Sequence, residues 1–294
     1  SNVGKIPFFI VVDKNVNAII VSCRGSSCLD DFITDSMGNG ITFGNGKIHN
    51  GVFNAAVYVF HECQTKVKEL NNHYNRKKSP NSEASEQSNS DASVSEDFND
   101  NKPMEIIITG HSLGAATASV VAYLFNKEIP ELNVRCICFA PPPTLSMNLW
   151  KTSGHFTKSY MIEGDFVPFL SVHNVLNFTE KMLKDKTGKH FAKFVHRYLS
   201  KRTVEELHEA HLKEKLYPPG QLFLIRFPDE EDWTQEMKKD SKRLRNDQIQ
   251  LCQIFNPDYF SSFVKNIQES NHKCKNYIKV ILRLYKTQLD NESK

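Results

Sequence analysis

The arrangement in this 294-residue sequence best able to do chemistry is a serine hydroxyl between two glycines, Gly110-His111-Ser112-Leu113-Gly114. Ile106-Ile107-Ile108-Thr109 precede it with strand-forming side chains. Ala115-Ala116-Thr117-Ala118-Ser119 follow it with the small side chains of a helix that packs closely on a sheet. The expectation is a strand, a sharp turn and a helix, with the Ser112 hydroxyl raised at the strand's C-terminal end. Glycine suits positions 110 and 114, because a strained turn leaves little room for Cβ atoms beside a nucleophile. A helix start behind Ser112 also offers unpaired N–H groups and a positive dipole end to developing negative charge.

A serine hydroxyl is a poor nucleophile near neutral pH, so it needs a base to take its proton and a carboxylate to orient that base. In a strand-turn-helix setting of this kind the chain order is serine, acid, histidine. Asp165 fills the second place, on a loop after the expected strand Ser159 to Ile162; turn chemistry at Gly164-Asp165 before Pro168 is the plainer account of the same residues. His173, His190, His196, His208, His211 and His272 all come later, and order alone does not choose among them. Position points to His272, which follows every expected strand and precedes the last helix. For the oxyanion, one donor would be the Leu113 backbone N–H, and the second Ser26, in the Arg24-Gly25-Ser26-Ser27 loop after an early strand. An ordinary strand-end turn explains that loop equally well.

The elements that must position these groups are legible as hydrophobic patterns. Pro7 to Val12 and Ala18 to Cys23, joined through Asp13 to Asn15, read as a hairpin. Asp30 to Asp35 reads as a short amphipathic helix, and Val52, Phe53, Ala56, Val59, Phe60, Val67 and Leu70 have helical spacing. Val134 to Phe139, Ser159 to Ile162, Leu222 to Phe227 and Gln248 to Phe255 complete the expected strands, with a last helix over Tyr277 to Tyr285. Strands alternating with helices predict an α/β architecture, a mostly parallel central sheet flanked by helices, as a single domain over 1–294, and the strand, turn and helix around Ser112 are those expected of an α/β-hydrolase. From Asn71 to Lys102 the composition turns to Asn, Ser, Glu, Asp and Lys, which predicts a disordered polar insertion. Residues 171–215 read as helical and charged, either a lid or a plain hairpin covering the sheet.

Net charge of +3 is no nucleic-acid footprint. No apolar run approaches the ~20 residues of a membrane span, and no signal peptide is recognisable. The expectation is a cytoplasmic protein, or one at the cytoplasmic face of a membrane, as part of a longer chain. Seven cysteines, an odd number at irregular spacing, suggest free thiols in a reducing compartment. Cys136 and Cys138 should share one strand face, and no ligand spacing for a metal is present.

Several stretches in order resemble one family, the class 3 (fungal-type) lipases, and within it the diacylglycerol lipases. They are Pro7-Phe8-Phe9, Ile19 to Ser27, Thr34-Asp35, His49 to Val52 with Ala55-Ala56, Ile107 to Ala116, Phe139 to Pro142, Asp165 to Pro168 and Leu216 to Gly220. The resemblance implies Ser112 as nucleophile, Asp165 as orienting acid and His272 as base, with Ser26 and Leu113 at the oxyanion. It implies acylglycerol substrates, diacylglycerol above all, a membrane surface as partner, and no cofactor for the bond cleavage; a calcium dependence is not readable. Two departures stand out: the family's RGT is Arg24-Gly25-Ser26 here, and Asn271 stands where an aspartate usually precedes the histidine. A phospholipase A1, a general carboxylesterase, or a lipid-binding protein without turnover would share the same pattern.

Overall fold

Ile106 and Ile108 are fully buried on one side of the strand that leads to Ser112, and that strand lies within a seven-stranded sheet. The computed structural model describes residues 5–25, 40–76, 102–171, 174, 215–226, 249–261 and 269–292. In chain order these form β1 (Phe8–Asp13), β2 (Ala18–Cys23), β3 (Gly40–Phe43), β4 (Gly46–His49), α1 (Asn50–Arg76), β5 (Glu105–His111), α2 (Leu113–Glu128), β6 (Arg135–Phe139), α3 (Met147–Ser153), β7 (Thr157–Ile162), β8 (Gln221–Arg226), β9 (Gln250–Ile254) and α4 (Cys274–Glu292). Sheet order is β1-β2-β5-β6-β7-β8-β9. β1 and β9 are the antiparallel edge strands, and β2, β5, β6, β7 and β8 run parallel. This is the α/β-hydrolase arrangement, a mostly parallel sheet flanked by helices.

Parallel strands are covered on both faces, and the covering helices show it. In α2, Ala115, Ala116, Ala118, Val120, Val121, Ala122 and Phe125 are all buried. A helix apolar all round belongs inside, and its alanines let its axis come close to the sheet. α1 packs over α2 with one stripe, Val52, Ala56, Val59, Phe60, Cys63 and Val67, while Glu62, Lys66 and Glu69 face water. Phe60 meets Phe125 edge to face, with ring centroids 4.9 Å apart, in that contact. Each such fully buried side chain contributes on the order of 2 kcal/mol.

Three features differ from the sequence expectation. α1 runs to Arg76, past Asn71, because polar side chains at its end find local partners: Asn75 Nδ2 donates to Asn71 Oδ1 at 2.6 Å. Asn75 Oδ1 in turn accepts the Met104 N–H at 2.9 Å, so the end of α1 holds the chain just before β5. The β3–β4 hairpin and α3 are individually unexpected; α3 has only two buried residues and too short a period to read. The expected helix at 30–35, the rest of the polar insertion (77–101) and most of 171–215 lie outside the described residues.

The six described cysteines are all free thiols, and Cys23, Cys63, Cys136 and Cys138 are buried. Cys136 and Cys138 do share a face, with Sγ atoms 3.4 Å apart. Burial pushes Cys63 up to about 12 and raises Cys23 and Cys136 as well, so these are packing groups in their thiol form. No helix among the described residues is long and apolar enough to cross a membrane.

Candidate active site

The parallel strands end together, and β5, β6 and β7 deliver the loops that matter. β5 ends at His111, and Ser112 then takes φ 60°, ψ −128°, a left-handed backbone that a side chain rarely adopts. Two neighbours hold it there: the Ser112 N–H donates to the Phe139 carbonyl at the end of β6 (2.9 Å), and the Ser112 carbonyl accepts the Ala115 and Ala116 N–H groups of α2 (2.9 and 3.1 Å).

The flanking glycines are required by close backbone approach. A Cβ on Gly110 would collide with the Gly114 carbonyl group, and one on Gly114 with the Cys23 carbonyl and with Arg24 and Gly25, at the end of β2. A Cβ on Gly25 would stand 2.7 Å from the His111 oxygen and 3.6 Å from the Ser112 Cβ. The start of the Arg24-Gly25 loop therefore lies against the elbow. Leu113, the first residue of α2, presents one of the helix-start N–H groups that have no intrahelical acceptor. Ser26, the other expected oxyanion donor, lies outside the described residues.

Asp165 and His272 complete a hydrogen-bonded line. His272 Nε2 is 2.9 Å from Ser112 Oγ, and Nδ1 is 3.2 and 3.1 Å from Asp165 Oδ1 and Oδ2. Among the described residues His272 is joined to both partners; the other candidate histidines, His173, His190, His196, His208 and His211, lie outside the described residues. Asp165 is fully buried, and a buried carboxylate must be satisfied by donors. Oδ1 also accepts the Val167 N–H at 2.9 Å, and Oδ2 the Tyr277 hydroxyl at 2.6 Å. Tyr277 itself accepts the Ile162 N–H at 3.0 Å. Burial first, and then the Asp165 charge, hold its phenol well above the ordinary value, so it stays a donor.

Three residues to which the sequence assigned no role help to build this site. Tyr277 is one, and its signal was available: a buried tyrosine one turn into an amphipathic helix needs a partner for its hydroxyl. Asn271 donates from Nδ2 to the Glu163 carbonyl at 2.9 Å, tying the loop of His272 to the loop of Asp165. His111 lies beside His272 with ring centroids 4.7 Å apart and beside Tyr277 at 5.3 Å. Burial, and secondarily His272, lower the His111 pKa to about 4, so this second imidazole is neutral at neutral pH. Nothing in the sequence predicts that contact.

A covered imidazole between an elbow serine and a buried carboxylate can accept the serine proton while the hydroxyl attacks a carbonyl carbon. Residues 20–175, more than half of the chain, match the family described as Lipase (class 3). The chain belongs to the class 3 lipases. Diacylglycerol lipase-beta of Mus musculus is 27% identical over 191 residues, which are 63% of this chain and 24% of that protein. Diacylglycerol lipase-alpha of Homo sapiens is 24% identical over 188 residues, 62% of this chain and 16% of that protein. The match thus spans about a quarter, or less, of these relatives' own length. Two solved structures share the fold at low identity. The Rhizomucor miehei lipase in its propeptide complex superposes with TM-score 0.55 at 14% identity, over 92% of this chain and 65% of that one. The lipase of Rhizopus microsporus var. chinensis gives TM-score 0.52 at 14% identity, over 90% and 67%. Among the described residues of this class 3 lipase, no group of three or more His, Cys, Asp and Glu side chains could hold a metal ion.

Proposed function

We propose that this protein hydrolyses fatty-acyl esters of glycerol, cleaving diacylglycerol to monoacylglycerol and a free fatty acid through an acyl-enzyme on Ser112. The observation that carries the reading is the unbroken line from Ser112 Oγ through His272 to Asp165, with a 2.9 Å first link. A lipid-binding protein without turnover has no need of that line. Ser112 Oγ attacks the ester carbonyl as His272 Nε2 takes its proton. His272 then gives the proton to the departing glycerol oxygen, and the acyl group remains on Ser112. Water attacks next, with His272 taking its proton and returning it to Ser112 Oγ as the acyl–Oγ bond breaks, and the fatty acid leaves. Asp165 fixes the tautomer and stabilises the imidazolium through Nδ1–H.

The tetrahedral oxyanion forms beside the start of α2, where the Leu113 N–H and the dipole favour it; Ser26 supplies the second donor in this proposal. The Arg24-Gly25 backbone lying against Gly114 supports that placement, since residue 26 follows it directly. No cofactor enters these steps. The likeness to proteins named diacylglycerol lipases supports the choice of substrate, and substrates of this kind make a membrane surface the expected partner.

Ser112→Ala is expected to abolish hydrolysis of a short soluble ester and fluorophosphonate labelling, with unchanged circular dichroism. Retained turnover would overturn the nucleophile assignment. On a panel of diacylglycerol, triacylglycerol and phospholipid, faster release of fatty acid from diacylglycerol is expected; a preference for phospholipid would make the protein a phospholipase A1.

A further inference from the structure

α4 begins two residues after His272 and packs on the sheet with one face: Tyr277 and Val280 are buried against Ala140, Ile162 and Ile225, with Ile281 and Leu284 beside them. A helix seated in this way would present polar residues on the rest of its circumference. α4 does not. Ile278, Leu282 and Tyr285, spaced as neighbours on one helical stripe, are 56%, 54% and 60% exposed. At 100° per residue, Lys275, Lys279 and Lys286 form the adjoining stripe, and all three are exposed. Residues 273–286 contain five cationic side chains and no acid, and none of these three lysines has a carboxylate partner among the described residues.

An apolar stripe beside a basic stripe is the pattern of a helix lying in a lipid interface, where apolar side chains enter the acyl boundary and lysines reach anionic headgroups with their long stems. We propose that the Ile278-Leu282-Tyr285 stripe of α4, with Lys275, Lys279 and Lys286 beside it, is the surface by which this protein rests on an anionic lipid bilayer. Charge selects that occupant: a neutral bilayer or a droplet of uncharged acylglycerol would reward the apolar stripe and leave the lysines unpaired. Continuity with the site gives the contact its use, since Ile278 lies within two turns of His272, and this part of the proposal rests on the lipase reading. A helix that grips the surface and begins two residues after the base would hold the site at the rim of the membrane.

The test uses the full chain carrying Ser112→Ala, so that binding is read without turnover. Co-sedimentation with phosphatidylcholine vesicles containing phosphatidylserine should be strong, salt-sensitive, and weaker by about tenfold or more with phosphatidylcholine alone. The triple variant Lys275→Gln/Lys279→Gln/Lys286→Gln should lose most of the phosphatidylserine-dependent binding, and Ile278→Ser/Leu282→Ser/Tyr285→Ser most of the binding that resists salt. In an otherwise wild-type background both triple variants should hydrolyse a water-soluble ester at the normal rate, which also shows that they fold. Binding by either variant equal to that of the parent overturns the proposal. So does a parent that ignores phosphatidylserine, or one that sediments as a dimer which the serine variant dissolves, since that would assign the stripe to a second copy of the chain. Failure of the lipase reading would appear separately, as a wild-type protein inert toward the soluble ester.

Discussion

One amide joins the two loops on which the candidate base and acid stand: Asn271 Nδ2 to the Glu163 carbonyl, 2.9 Å. The aspartate found at this position in the resemblance would set a carboxylate against that carbonyl and lose the donor. Asn271→Asp is therefore expected to loosen the His272–Asp165 geometry, lowering kcat about tenfold while KM changes little, as steady-state kinetics on a soluble ester would show. A second residue-scale prediction concerns His111. Its folded pKa, about 4, lies below the ordinary 6.5. Above pH 6.5 both states are neutral; below it the unfolded chain takes up a proton that the folded chain refuses, so stability falls as the pH drops from 6.5 toward 4. Urea denaturation across that window should show His111→Phe relieved of on the order of 2 kcal/mol of acid sensitivity relative to the parent. The sequence pointed to Ser112, Asp165 and His272 by type and order, and the structure brings the three together. It did not show His111 beside His272, or Asn271 on Glu163, because both contacts join segments far apart in the chain and neither leaves a periodic trace.

Among the elements, the β5–α2 corner was the most legible, since it is written locally: β-branched residues, two glycines, then alanines. The same corner is the least tolerant of change. Gly114→Ala would gain up to ~1 kcal/mol in helix propensity, yet its Cβ would drive into the backbone of Cys23 to Gly25, which cannot rotate away. The clash wins. A net loss of about 3 kcal/mol or more is expected, read as a lower denaturation midpoint together with lost ester hydrolysis. α3 and the β3–β4 hairpin were illegible for the opposite reason. Each is too short for its period to repeat, and each is held by contacts made elsewhere, such as Ser146 Oγ accepting the Lys47 N–H at 2.9 Å. The end of α1 was misjudged at Asn71 because composition predicts burial, and the last turns of a long helix can persist through side-chain partners with little burial.

Over the whole molecule, the order of the sheet was readable only in part. Alternation of strands and helices predicts a parallel centre; the hairpin pattern gives the antiparallel edge β1, whereas the antiparallel pairing of β9 with β8 leaves no comparable local signal. The Asn75–Met104 bond, with Asn17 Nδ2 donating to the carbonyls of Lys102 and Pro103 (3.1 and 3.3 Å), fastens the end of α1 and the start of β5 to each other and to the β1–β2 turn. Replacing residues 77–101 with about six glycines and serines should therefore leave ester hydrolysis intact and raise stability by about 1 kcal/mol through the shorter closure. A melting scan that instead collapsed would show those residues to be part of the core. Because the two ends are clasped by groups outside the segment, the same junction is a natural splice point: a fluorescent reporter or a purification module inserted there should inherit a closed doorway, and leave the chemistry behind it undisturbed.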